Sequence, residues 1–246
     1  MNSRRDADAS SPSEGPGAVG EREHRDVSGG WLRAAVFGAT DGLVTNSSLI
    51  AGVGGGGGAH HTIVLTGMAG LVAGAFSMAT GEYISVTTQN EAIHAEVANE
   101  QAALKRDPDG EISELADTYV ARGVSAATAM AFATELAASP KDALRVHVQE
   151  ELGVDAENLP GAWTAAISSF LSFSLGALLP LLPYLFGLSS LPVALAVTAI
   201  ALTAAGALAA GLTGRSPVHS GLRQLVLGAL AVGATYLIGH LLGAQV

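Results

Sequence analysis

The sequence predicts an all-α membrane protein: five transmembrane helices, with a cytoplasmic helical domain inserted between the second and the third. Three observations carry that expectation. The 246 residues are 49% hydrophobic and only 14% charged, with a mean hydropathy of +0.39, too apolar for an ordinary soluble domain. Five segments are each long and apolar enough to cross a bilayer, which takes about 20 residues. The charged residues are gathered into the N-terminus and one long segment instead of being spread along the chain.

Residues 1–28 are rich in Ser, Gly, Asp, Glu and Arg and read as a disordered tail. They lack the apolar core of a signal peptide. The five spans are expected at about 31–53, 62–86, 163–186, 191–212 and 222–243. This divides the chain into the tail, a first membrane part at 29–88, a polar domain at 89–160 and a second membrane part at 161–246. The many Ala and Gly residues suit membrane helices, whose backbones approach closely across small side chains.

The 12 Lys and Arg residues fix an orientation. Arg4, Arg5, Arg22, Arg25 and Arg33 precede or open the first span. Lys105, Arg106, Arg122, Lys141 and Arg145 lie between spans two and three, and Arg215 and Arg223 flank the link between spans four and five. The remaining loops and the C-terminus have none. Positively charged loops stay in the cytoplasm, so the N-terminus is expected inside and the C-terminus outside.

The domain at 89–160 reads as helical. "TQNEAIHAEVANEQAALKR" contains strong helix formers and nothing that breaks a helix, so it is expected to continue the second span without interruption. "DPDG" reads as a turn. A second helix follows and ends at Gly123. A third has Ser125 as its N-cap, and a fourth is closed by Gly153. The glycine run "GVGGGGGAHH", with His60 and His61, reads as an outer loop. It lacks the Lys-Ser/Thr ending of a phosphate loop, so ATP hydrolysis is not expected to drive this protein.

The absence of cysteine excludes disulfides, thiolate metal sites and cysteine nucleophiles, and the net charge of −10 argues against a nucleic-acid partner. Only Asp41 and Glu82 place an acid within the spans. A charge at the bilayer centre costs about 2.5–3.5 kcal/mol on insertion scales, so such residues usually face a cavity or a pathway. Asp41, Thr45 and Ser48 share one helical face, as do Met78, Glu82, Ser85 and Gln89. Two carboxylates, a thioether and several hydroxyls on neighbouring helices suit a divalent transition metal such as Fe²⁺ or Mn²⁺. The plainer reading makes both acids structural, with Glu82 at the cytoplasmic interface. In the polar domain, Glu96 and Glu100, Glu111 and Glu114, and His147 and Glu151, with Glu150 beside them, fall at helical spacing. Packed together they would form a carboxylate-rich metal cage, making this a cytoplasmic helical metal-binding domain. A solvated acidic surface is the alternative for any one of them.

The stretches "DGLVTNSSLIAGVGG", "FSMATGEYISVTTQNEA", "EELG", "GALLPLLPYLF" and "SGLRQLVLGALAVGATYLIGHLLG" occur in an order that resembles the vacuolar iron transporter family. The resemblance covers nearly all of residues 24–246. It implies a homodimer of five-span protomers that exchanges cytosolic Fe²⁺ or Mn²⁺ for protons, with Asp41, Met78 and Glu82 lining an ion path at the dimer interface. It further implies that the inserted domain binds metal through glutamates, to which Glu96, Glu100, Glu111, Glu114 and Glu151 correspond. Where the family has a methionine this chain has His147, and the neighbouring acidic position is Val148, with Glu150 shifted.

The expected function is therefore export of a divalent metal ion from the cytosol, with no prosthetic group, by a transporter and not an enzyme. The expected partners are the lipid bilayer, a second copy of the chain, the metal ion and protons. The Ala- and Gly-rich composition is that of a bacterium of high genomic GC content, which makes the plasma membrane the expected location. The rival reading is a membrane-anchored ferroxidase or iron-binding protein that uses the glutamate cage. A metal sensor would not need the acid at Asp41.

Overall fold

The computed structural model describes residues 30–243, so the N-terminal tail and its arginines lie outside the described residues. Eight helices and no strand are found there: α1 (Gly30–Gly55), α2 (His60–Arg106), α3 (Pro108–Ala121), α4 (Ala126–Ala137), α5 (Pro140–Leu152), α6 (Ala162–Leu185), α7 (Leu191–Thr213) and α8 (Pro217–Gly243). Among the described residues, α2, α6, α7 and α8 are long and apolar enough to cross a membrane. The 26 residues of α1 match them in length, at about 39 Å. Its charged residues are Arg33 and Asp41, and it is packed against all four of the others.

α1 is the centre of the bundle, and both it and α2 make their largest contacts with α6. The α1–α6 crossing is backbone on backbone. A methyl group at Gly42 would run into the carbonyl of Phe173, and one at Gly176 would run into the carbonyl of Ala39. Small residues at such a crossing let two helices gain dispersion contacts that lipid does not offer. α6 also contains Pro180 and Pro183, which break its hydrogen-bond ladder. In that region the Asn46 side-chain amide of α1 donates to the carbonyl of Ala177 at 2.5 Å.

The bundle buries several polar side chains within an otherwise apolar core and exposes large apolar ones. Asn46, Ser47, Ser48 and Ser169 are buried, whereas Leu65, Phe76, Leu171, Leu175, Ile200, Leu230 and Leu237 are exposed. That distribution suits lipid as the solvent, where apolar surface carries no penalty and polar groups turn inward.

α2 has 47 residues and runs about 70 Å without a break, more than twice the thickness of a hydrocarbon core. Its first half belongs to the bundle. Its second half joins α3, α4 and α5 in a separate helical domain with a small core of Leu115, Ala116, Ala129 and Ala133. Local sequence explains the breaks. Ser125 caps α4, and Gly153 ends α5 in the left-handed conformation at φ 66°. Two local readings are corrected. "DPDG" opens α3, because the Asp107 carboxylate accepts from the Gly110 amide and Pro108 occupies a first-turn position. His60 and His61 form the first turn of α2, with only a four-residue link after Gly55. The Lys and Arg residues of the described chain lie in the helical domain or at the end of the bundle facing it, where α1 begins and α7 turns into α8.

Candidate metal-binding site

Three helices of the inserted domain converge on one imidazole. The His147 ring on α5 is 3% exposed. Its Nδ1 lies 3.1 Å from a Glu100 oxygen on α2, 3.7 Å from a Glu111 oxygen on α3 and 3.6 Å from a Glu151 oxygen one turn along α5. One ligand atom from each of the four residues falls within 4.8 Å of all the others. A transition metal with bonds of about 2.1 Å holds its ligand atoms roughly 3–4.2 Å apart, so modest side-chain adjustment closes this set around an ion. The Glu100 Oε1 atom facing His147 is buried and has no aligned hydrogen-bond donor. A buried carboxylate oxygen without a donor is costly, and a cation would satisfy it.

The electrostatics follow from that crowding. Burial pushes the Glu100 carboxyl up to about 7, helped by the charges of Glu151 and Glu111. Burial also raises the Glu111 carboxyl, with Glu114 adding to the rise and His147 opposing it. Glu100 therefore holds a proton up to near neutral pH when no cation is present.

Several of the expected residues stand outside this cluster. Glu96 and Glu114 are exposed. Glu96 accepts from the Asn99 amide, and Glu114 is near enough only to act through its charge. Glu150 faces away from the cage, because consecutive helical residues point about 100° apart. It pairs with Arg122 and accepts from the Tyr119 hydroxyl at 2.9 Å, contacts that hold its carboxyl below the usual range. Nothing in sequence spacing signalled that Tyr119 and Arg122 would take this acid. Glu91 and His94 have the Glu-x-x-His spacing of di-iron bundles, but both are exposed and neither joins the cage.

In the membrane part the acids take separate partners. Asp41 is half-buried and accepts from the Thr45 hydroxyl at 3.3 Å. Glu82 is buried at 8% exposure and pairs with Arg33 at 2.8 Å. Arg33 lies eight residues before Asp41, about 12 Å along α1, so Glu82 is level with the end of the bundle nearest the helical domain. Met78, one turn from Glu82, packs against Ala75, Phe173 and Ala177. Asn46 and Ser169 are buried polar groups that the sequence reading did not single out.

A model of the VIT family matches residues 32–240, nearly the whole described chain. The chain belongs to the VIT family. Among its relatives are a vacuolar iron transporter of Acanthamoeba castellanii, 34% identical over 91% of this chain and 84% of that protein. Vacuolar iron transporter homolog 3 of Arabidopsis thaliana is 37% identical over 87% and 84%. Vacuolar iron transporter homolog 1 of Oryza sativa is 35% identical over 87% and 74%. As a VIT-family chain with several apolar spanning helices, the protein is a multi-pass membrane protein.

Proposed function

We propose that this protein exports Fe²⁺ or Mn²⁺ from the cytosol in exchange for protons. The observation that carries this reading is the Glu100–Glu111–His147–Glu151 cluster, whose Glu100 sits on the same unbroken helix as Met78 and Glu82. Family membership supports a metal as the cargo, since one relative named above is a vacuolar iron transporter and the other two are named as homologs of one. On this reading α1 and the four apolar helices form five spans, with the N-terminus in the cytoplasm of a bacterium and the C-terminus outside. Two protomers pair so that their α1 and α2 helices border one path.

The cage gathers cations near the membrane. An ion then reaches Glu82, where Arg33 must first release the carboxylate. Arg33 is 65% exposed and has room to swing aside. The ion proceeds past Met78 to Asp41, and protons from the far side reload the emptied carboxylates. Metal and proton compete for the same oxygens, which is the simplest form of coupling.

The test is uptake of Fe²⁺ and of Mn²⁺ into liposomes holding the full chain, with and without a pH gradient. We expect the gradient to drive uptake and Asp41→Ala to abolish it. Uptake indifferent to the gradient, or unchanged in Asp41→Ala, would refute the exchange.

A further inference from the structure

A second polar site lies where α7 turns into α8. α1, α7 and α8 enclose a cavity of about 310 Å³ at the turn between α7 and α8, lined by Thr40, Ser220, Gln224, Arg215 and Arg223 among others. From residue 158 onward the chain contains no Asp or Glu, and Arg215 and Arg223 are its only Lys or Arg residues. Both line this one cavity. Among the described residues neither arginine forms an ion pair, although the chain as a whole carries a net charge of −10. Every other arginine among the described residues has a carboxylate partner or lies within the acid-rich domain.

Orientation by positive charge alone would need the arginines only somewhere in this link. It does not call for both to share a concave site with an amide and two hydroxyl side chains. The surroundings are equally specific. Val36 on α1 and Ala205, Ala209 and Ala210 on α7 complete the lining with apolar surface. The site thus combines fixed positive charge, hydrogen-bonding side chains and an apolar wall at the end of membrane-spanning helices. A volume of about 310 Å³ is at the small end of ligand pockets, suited to a headgroup whose chains remain outside.

We propose that this cavity binds the phosphate headgroup of an anionic glycerophospholipid, with the acyl chains left outside it in the surrounding lipid. Arginine guanidinium groups hold phosphate oxygens through paired hydrogen bonds, and basic pockets between spanning helices select anionic headgroups. The site is separate from the metal cage and does not depend on what the protein transports.

The full-length protein in neutral detergent, mixed with equal amounts of phosphatidylglycerol and phosphatidylcholine, tests this by native mass spectrometry. We expect retained phosphatidylglycerol to exceed phosphatidylcholine, and the R215Q/R223Q variant to lose about tenfold of that preference. Because those arginines also bear on membrane insertion, Ala205→Phe provides a second arm. It fills the cavity while keeping both charges, and it should remove the preference as well. Inorganic phosphate should fail to displace the lipid. Equal retention of the two lipids by the wild type, or full preference in either variant, would overturn the proposal. So would complete displacement by inorganic phosphate, which would show a site for the free anion.

Discussion

Glu100 is the residue on which the behaviour of the cage turns. Its carboxyl titrates near 7 in the folded protein, against an ordinary 4.5. The folded state therefore holds this proton more tightly than the unfolded chain does. The associated stability is fully present below about pH 4.5 and is lost as the pH rises through about 7. Glu111 shifts in the same direction, whereas Glu150 is depressed and contributes stability that fades only in acid. A bound cation takes the place of the proton and reverses the trend. Without metal, the melting temperature should fall between about pH 5.5 and about pH 8, and Mn²⁺ should raise it more at the higher pH. Glu100→Gln should flatten both effects. Thermal unfolding of the detergent-solubilised protein measures this, and a Mn²⁺ shift of equal size at both pH values would count against the cage. At this scale the sequence was informative only in part. Helical spacing nominated ten candidate residues, and packing drew four of them together. Spacing defines which side chains share a face of one helix, but not how that helix is rotated against its neighbours. Glu150 and Glu151 show the difference, since adjacent residues ended in an ion pair and in the cage respectively.

The helices themselves were the most legible feature, because their signals are local. The break-free run after Glu82, the Ser125 cap and the Gly153 stop each act within a few residues and each appears where the sequence places it. The α1–α6 crossing was not legible, because Gly38, Gly42 and Gly176 acquire meaning only when another backbone lies against them. That contact makes a prediction. Gly42→Leu should cost about 1–3 kcal/mol or more, since the neighbouring atom is a main-chain carbonyl that cannot rotate away. Gly233 has open space around its would-be methyl, so Gly233→Ala should be neutral or favourable by up to about 1 kcal/mol. Comparing the melting temperatures of the two variants separates close packing from a general intolerance of larger residues in spanning helices. Equal loss in both would show that the α1–α6 approach has no special role.

At the scale of the whole molecule, the placement of charge supports the orientation proposed above. Arg33, Arg215, Arg223 and the entire helical domain fall at one end of the bundle, while the link before α7 at the opposite end carries no charge. Moving that end and its domain across a membrane would require transferring many ionised groups through hydrocarbon, so this end should remain where the chain is made. The chain has no cysteine, so single cysteines can report its orientation without background. Ser189, exposed beside the start of α7, and Ser113, exposed on α3, lie at opposite ends. In intact cells a membrane-impermeant maleimide should label Ser189→Cys, and it should label Ser113→Cys only after lysis. Labelling of Ser113→Cys from outside would invert the orientation, and with it the direction of export, because the metal cage would then face the exterior and load from the wrong side. Labelling of both from outside would show that α6, the long apolar helix between them, does not cross, and would remove the five-span arrangement on which the proposed path depends.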